Sequence, residues 1–232
     1  MTRRLILLRH GQTHYNAAFR MQGQLDTELS EIGVQQAHAV GRVLARRRPW
    51  TILSSDLQRA HETARALASE VGLEVRTDPR LRETDLGDWQ GMSHSEVDGQ
   101  WPDARMRWRS TPRWSPPEGE SRLDVARRTR EVVDELVDAS TDWSEHPAVL
   151  VAHGGAIAAL TAALIELPVE QYPIFNGLGN TCWVQLSAHP RPELWSGQTA
   201  TPEIGPTTDG ARQVLWRLDQ WNAGLTPPVE AS

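Results

Sequence analysis

Residues 5–13 read LILLRHGQT, and this stretch decides the fold class of the 232-residue chain. Four consecutive apolar residues without alternation are typical of a strand that is buried on both faces of a parallel sheet. Polar groups that follow such a strand lie at the carboxyl edge, where α/β proteins bind their ligands. We therefore expect Arg9 and His10 at the mouth of a crevice, with Gly11 allowing a sharp turn and the close approach of a ligand.

Both polar side chains suit phosphate chemistry. The planar guanidinium of Arg9 matches phosphate oxygens, and the ring of His10 is partly neutral near pH 7 and can act as a nucleophile. On these residues alone, a strand that simply stops at two solvent-facing polar groups is an equally good explanation.

A second apolar strand is predicted at residues 148–152, and it ends at His153. Gly154 and its neighbour then begin a helix that is apolar nearly all round, which indicates burial. The glycines let this helix approach the sheet and bring main-chain amides toward an anion. Because parallel strands end at the same edge of a sheet, we expect His10 and His153 to face each other across the crevice.

Strands alternate with amphipathic helices along the rest of the chain. This order predicts a three-layer α/β/α sandwich with a mostly parallel central sheet, and the length fits a single domain over residues 1–232. The predicted strands are 5–8, 51–53, 73–76, 148–152, 182–186 and 213–218. The predicted helices follow Ser30, a cap at 54–56, Glu120-Ser121 and the glycines at 154–155, with a loop at 188–211 and a frayed tail at 223–232.

Two further charged residues fall near the same edge. Arg59 is expected in the first turn of a capped helix, where a guanidinium beside free main-chain amides can bind an anion. Glu83 is expected in the loop after Leu81. The sequence around it allows two explanations, a role in chemistry or a carboxylate that is simply paired to Arg80 or Arg82.

Composition excludes several function classes. A net charge of −6 shows no footprint for nucleic acid, and no stretch approaches the ~20 apolar residues that span a membrane. The single Cys182 suits a reducing compartment, so we expect a cytoplasmic protein. All basic residues are arginines, which excludes Schiff-base chemistry. No spacing of ligand residues predicts a required metal, although stimulation by magnesium through screening of a substrate stays open.

Five segments together resemble the histidine phosphatase (phosphoglycerate mutase-like) superfamily. They stand in the superfamily's order and are spread over most of the chain. Two departures are Leu86, where Phe is usual, and Gln90, where Glu is usual. The segments are RHGQTHYN at 9–16, LSEIGVQQA at 29–37, SSDLQRAHETA at 54–64, LRETDLGDWQG at 81–91 and VAHGG at 151–155.

The resemblance implies phosphoryl transfer through a phosphohistidine. It implies that His10 is the nucleophile and that Glu83 first protonates the leaving alkoxide and then takes a proton from water. Arg9, Arg59 and His153 would form a positive clamp on the phosphate. The implied substrate-binding residues are Arg9, Asn16, Gln22, Gly23, Arg59, His153 and Gly154.

Within the superfamily, the chain most resembles phosphatases of sugar-linked phosphoglycerates. The segments that carry this narrower resemblance are residues 21–29, 86–91 and 216–222. The implied reaction releases phosphate from glucosyl-3-phosphoglycerate, a step of methylglucose lipopolysaccharide biosynthesis. Three alternatives stay open: a broad phosphatase of small phosphate esters, a phosphoglycerate mutase, and an inactive regulatory binding module. The five intact residues of the implied site argue against the last of these.

Residues 92–120 read as an insertion over the sheet. It is either a cap packed by tryptophan with arginine stems lying on it, or a lid that supplies cations to a substrate carboxylate. We favour the lid, because the superfamily often places specificity elements here. Tryptophan-rich surfaces are often interfaces and relatives are often dimers, so we also expect a homodimer. The insertion contains Trp101, Trp108, Trp114, Arg105, Arg107, Arg109 and Arg113.

Overall fold

A computed structural model describes residues 2–139, 143, 146–175, 177–192 and 203–224. Its strands are β1 (Arg3–Arg9), β2 (Thr51–Ser54), β3 (Val75–Thr77), β4 (Ala148–Ala152), β5 (Trp183–Pro190) and β6 (Val214–Ala223). Its helices are α1 (His14–Ala17), α2 (Glu31–Ala45), α3 (Gln58–Val71), α4 (His94–Gln100), α5 (Ala104–Ser110), α6 (Arg122–Ala139), α7 (Gly154–Leu164) and α8 (Asp209–Arg212). Short 3₁₀ helices lie at Pro79–Leu81, Gly87–Trp89 and Val169–Ile174.

The six strands form one mixed sheet in the order β3-β2-β4-β1-β5-β6. The first four run parallel to one another, and β5 and β6 add antiparallel pairings at one side. Side chains of β1 are buried on both faces, Ile6 and Leu8 with α2 and α3 and Leu5 and Leu7 on the α6–α7 side. The predicted α/β class with helices on both faces of the sheet is confirmed.

Several boundaries differ from the prediction for reasons that lie outside the local sequence. Helix α3 begins at Gln58, and its first amide donates to Asp26 Oδ1 at 2.7 Å instead of to a cap at 54–56. Asp56 is held elsewhere, because Arg82 Nε donates to it at 2.8 Å. The third strand begins two residues and ends one residue later than expected, and β6 continues to Ala223.

The insertion at 92–120 packs as a tryptophan cluster. Trp89 is fully buried, and the rings of Trp101, Trp108 and Trp114 surround it at centroid distances of 6.4, 6.0 and 5.6 Å. The tryptophans therefore build the packed cap, which was the alternative to the favoured lid. Whether the same cap moves over a substrate stays a prediction.

The predicted loop at 188–211 is partly regular. Strand β5 continues to Pro190 and α8 occupies Asp209–Arg212, while residues 193–202 and the tail from 225 lie outside the described residues. Of the helices that the structure describes, none combines the length and the apolar character needed to cross a membrane.

Candidate active site

The sheet brings His10 and His153 together at its carboxyl edge. Strands β1 and β4 pair in parallel with Arg9 opposite Ala152, so the residue after each strand faces the same crevice. The two imidazole rings lie 5.1 Å apart between centroids, with their planes at 59°. His10 is 3% exposed and His153 is fully buried. The pairing that the two strand ends predicted is thus present.

The hydrogen bond of His10 defines which ring nitrogen is free. Its Nδ1 lies 2.6 Å from the carbonyl oxygen of Gly11. A carbonyl can only accept, so Nδ1 carries the hydrogen and donates it. In the neutral ring, Nε2 then keeps an unshared electron pair, as a nucleophile requires. Gly11 is needed here because an added Cβ would overlap the main-chain oxygen of Gly33.

Two arginines beside this ring are anchored by main-chain oxygens. Arg59 is 1% exposed and donates to Leu25 O at 2.7 Å and to Gly23 O at 2.8 Å. Arg9 donates through Nη1 to Leu178 O. These bonds fix both guanidiniums without neutralising them.

Four buried nitrogen atoms in this cluster have no hydrogen-bond partner within the described part of the chain. They are Nε of Arg9, Nε of Arg59 and both ring nitrogens of His153. Buried polar groups are normally hydrogen-bonded. The two guanidinium nitrogens and one nitrogen of a neutral imidazole are donors, so these atoms indicate a site for a ligand that accepts hydrogen bonds. Guanidiniums favour planar recognition of phosphate or carboxylate oxygens.

The two residues of the predicted site with amide side chains, Asn16 and Gln22, present their NH₂ groups. Asn16 Oδ1 accepts from Thr13 N at 3.1 Å and from Asn180 Nδ2 at 3.2 Å. Gln22 Oε1 accepts from the hydroxyls of Thr13 and Thr27 at 2.9 and 2.6 Å. With both oxygens occupied, the NH₂ donors of Asn16 and Gln22 remain for an anion.

Glu83 lies at the start of α7. Its carboxylate accepts from Gly155 N at 3.0 Å and from Ala156 N at 2.9 Å, and also from Thr84 N at 2.8 Å. A carboxylate is favoured at a helix N-terminus by the free amides and the helix dipole. Gly155 therefore donates its amide to the carboxylate of Glu83. Gly154 lies against Arg9 instead, since a Cβ added at Gly154 would be 3.5 Å from Arg9 Nε.

The alternative explanation of Glu83 is wrong. Arg80 pairs with Asp78 and Glu135, and Arg82 pairs with Asp56. Neither arginine holds the carboxylate of Glu83, whose hydrogen bonds come from the amides of Thr84, Gly155 and Ala156.

Burial sets the protonation of the site. Desolvation, followed by the charge of Arg59, holds the pKa of both His10 and His153 well below the ordinary value of 6.5. Both rings are therefore neutral at pH 7 in the free protein. The positive charge that the resemblance implies for His153 concerns the site with phosphate bound and stays a prediction. Burial also lowers the pKa of Arg59 to about 10, with the nearby charge of Glu83 opposing the shift. The two arginines supply the positive charge.

Sequence reasoning missed the residues that support the site from behind. Asn180 donates to His10 O at 3.1 Å as well as to Asn16. Gln24 donates through its side-chain Nε2 to Glu83 O at 3.2 Å, and its main-chain amide donates to Gln90 Oε1 at 2.5 Å. These are long-range contacts of ordinary loop residues, and no local signal distinguishes them. Among the described residues there is no group of three or more His, Cys, Asp and Glu side chains suited to a metal.

Comparison with protein families identifies the arrangement. Residues 5–196 match the model of the histidine phosphatase superfamily, branch 1. A glucosyl-3-phosphoglycerate phosphatase of Mycolicibacterium vanbaalenii is 55% identical over 225 residues, which cover 95% of each chain. The protein of the same name from Mycobacterium tuberculosis is 52% identical over 226 residues, again 95% of each chain.

A solved structure agrees with these relatives. A mycobacterial glucosyl-3-phosphoglycerate phosphatase in complex with VO3 superimposes with a TM-score of 0.85 at 51% identity, covering 96% of this chain and 100% of the other.

Proposed function

Because the chain belongs to the histidine phosphatase superfamily, we propose that it is a phosphatase that converts glucosyl-3-phosphoglycerate into glucosylglycerate and phosphate through a phosphohistidine. The observation that carries this proposal is the free Nε2 of His10 beside four buried, unpartnered nitrogen atoms. The substrate comes from the relatives that match nearly the whole chain.

In the first step, Nε2 of His10 attacks the phosphorus atom. The new N–P bond forms as the ester P–O bond breaks, and the leaving alkoxide takes a proton from the acid form of Glu83. Arg9 and Arg59 stabilise the charge that spreads over the non-bridging oxygens. Asn16 and Gln22 add hydrogen bonds from their NH₂ groups. Neutral His153 orients the phosphoryl group as a hydrogen-bond donor.

In the second step, water attacks the phosphorus atom of the phosphohistidine. Its proton passes to the carboxylate of Glu83, the N–P bond breaks, and phosphate leaves with His10 restored. The same residue thus acts as acid and then as base, as microscopic reversibility requires. No metal ion is needed for either step, so we expect activity to survive chelation, with magnesium acting at most on the substrate.

The arginines of the insertion are not equivalent as contacts for the glycerate carboxylate. Arg105 pairs with Asp98 and Arg113 pairs with Glu203, so both are already committed. Arg107 lies over the ring of Trp114. Arg109 has no carboxylate within 4.0 Å among the described residues, and we propose it as the contact for the substrate carboxylate. Arg109→Met should raise KM for phosphoglycerate esters and leave KM for p-nitrophenyl phosphate unchanged.

The intermediate can be trapped. Rapid mixing with ³²P-labelled glucosyl-3-phosphoglycerate and quenching should give a base-stable, acid-labile phosphoenzyme. The label should be absent from His10→Ala, which should lose about 10⁴-fold or more in kcat. Turnover by His10→Ala at the wild-type rate would refute the proposal.

A substrate panel distinguishes the alternatives. Glucosyl-3-phosphoglycerate should give the highest kcat/KM when compared with mannosyl-3-phosphoglycerate, 3-phosphoglycerate and p-nitrophenyl phosphate. Equal values for all four would indicate a broad phosphatase. Formation of 2-phosphoglycerate from 3-phosphoglycerate faster than phosphate release would indicate a mutase. No turnover at all would indicate a binding module.

We also propose that the protein is a cytoplasmic homodimer. The support for a dimer is not the tryptophan-rich surface that the sequence suggested. None of the tryptophans in the described residues is exposed. Instead, Val34 on α2 is 42% exposed, and it lines a groove between α2 and α3 that continues to Val75 on β3. Strand β3 has no neighbour on its outer side in the described sheet. Light scattering should give a dimer mass, and Val34→Glu should shift it toward the monomer.

A further inference from the structure

Arg128 and Glu120 form a charged pair behind the loop that carries Glu83. Arg128 projects from α6, and its Nε and Nη2 donate to the two carboxylate oxygens of Glu120 at 2.8 and 2.7 Å. The side chains are 18% and 25% exposed, so the pair is mostly shielded from water. A bidentate arginine–carboxylate pair of this kind has a fixed geometry.

The remaining donors of Arg128 go to the main chain of the same loop. Nη1 donates to the carbonyls of Arg80 and Arg82, both at 2.7 Å, and Nη2 donates to the carbonyl of Glu83 at 2.8 Å. One guanidinium therefore holds three carbonyls in four consecutive residues. Glu83 itself is one of the three.

Glu120 holds the same loop on the other side of Glu83, at Asp85. Its Oε2 accepts from Asp85 N at 2.9 Å, and its own amide donates to Asp85 O, also at 2.9 Å. Glu120 is the last residue of the 92–120 insertion. The segment from Arg80 to Asp85 is thus fixed at both ends by two residues that lie outside the predicted set of site residues.

We propose that the Arg128–Glu120 pair is a positioning device that holds Glu83 where it can exchange a proton with the leaving oxygen. The inference rests on the proposed function, because it assumes that Glu83 is the general acid. Within the described residues, α7 holds the carboxylate of Glu83 through the amides of Gly155 and Ala156, and the adjacent loop residue Thr84 adds a third amide. Without Arg128, three carbonyls lose a charged donor, and the main chain that aims this carboxylate is released.

The test separates proton transfer from folding by using two leaving groups. An alkoxide needs a proton as the P–O bond breaks, whereas 2,4-dinitrophenolate leaves without one. First-turnover rates and burst amplitudes are measured for glucosyl-3-phosphoglycerate and 2,4-dinitrophenyl phosphate. For Arg128→Met we expect the rate with the sugar ester to fall by about 10- to 100-fold and the rate with the aryl ester by less than about 3-fold.

Three variants complete the series. Arg128→Lys keeps the charge but cannot reach all three carbonyls, so its rate with the sugar ester should be intermediate. Glu120→Gln keeps the shape of the pair and should show the same pattern with a smaller effect, even if Arg128→Met does not fold. Arg127→Met is the control, because Arg127 is the exposed neighbour that pairs with Asp124 on the same helix. It should match the wild type with both esters.

The proposal is overturned if both esters slow by the same factor, or if neither does. Reduced burst amplitudes with unchanged rates would show loss of folded protein alone and would overturn it as well. A wild-type chain that forms no phosphoenzyme with either ester would refute the proposed function and this inference with it.

Discussion

The substitution Gly155→Ala tests whether catalysis depends on the observed position of the Glu83 carboxylate. An ideal Cβ at this position would lie 2.6 Å from Glu83 Oε1 and 3.0 Å from Thr84 Oγ1. Since real Cβ atoms stay at least 3.0 Å from such neighbours, Oε1 must retreat by about 0.4 Å. Its bonds from Ala156 N and Thr84 N, now 2.9 and 2.8 Å, then lengthen toward the upper limit of a normal hydrogen bond.

The expected cost in stability is small. Weakened bonds to a charged group lose about 1 kcal/mol, and replacing a helical glycine by alanine returns about 0.5–1 kcal/mol. The melting temperature should therefore stay within about 4 °C of the wild type. Activity should change far more, because a displaced general acid loses part of a contribution of about 10²- to 10⁴-fold. We expect kcat for glucosyl-3-phosphoglycerate to fall by about 10- to 100-fold.

Steady-state phosphate release and thermal melting of the same preparations measure both effects. Gly99→Ala on α4 is the matched control, because no atom lies within 4 Å of its added Cβ. It should keep full activity and gain about 1–4 °C in melting temperature. Wild-type kcat in Gly155→Ala would refute the role of Glu83 in proton transfer. A large fall in its melting temperature would instead show that the glycine serves helix packing.

Other predictions concern stability. Gly33→Ala should lower the unfolding free energy by about 1–3 kcal/mol or more, because its Cβ overlaps the main-chain oxygen of Gln12, and thermal melting checks this. Trp89→Ala removes the centre of the tryptophan cluster and should cost about 3–5 kcal/mol in a denaturant titration. Stability should also fall as pH drops below about 6.5, since unfolded His10 and His153 bind protons that the buried rings resist. Each contributes at most about 1.4 kcal/mol per pH unit, and replacing one by asparagine should flatten the slope.

The sequence predicted the strand ends because their signal is local. Four apolar residues before Arg9 and five before His153 fix two central strands, and parallel pairing then places both imidazoles at one edge. Capping by Ser30 is local in the same sense, since its Oγ accepts from Gly33 N only three residues away. Features of this kind depend on neighbours in the chain, so a pattern of residue types can identify them.

The sequence failed where a contact joins distant segments. Nothing near Gln58 indicates that Asp26 caps its helix across 32 residues. The partner of Glu83 was ambiguous for the same reason, because two arginines beside it in sequence are occupied by carboxylates elsewhere in the fold. The charge of His153 depends on how completely the fold buries it.

The way the arginines are anchored explains how the site can favour a phosphate dianion. Pairing Arg59 with a carboxylate would offset its desolvation but would cancel the field that an anion needs. Instead, the main-chain oxygens of Gly23 and Leu25, which carry no net charge, hold the guanidinium in place. Its positive charge is therefore not cancelled, and its Nε has no hydrogen-bond partner among the described residues. Arg9 is held in the same way by Leu178. Burial lowers the pKa of both arginines because it disfavours their charged forms. A bound phosphate would offset this unfavourable desolvation, and the neutral His10 beside the arginines could then attack the phosphorus atom.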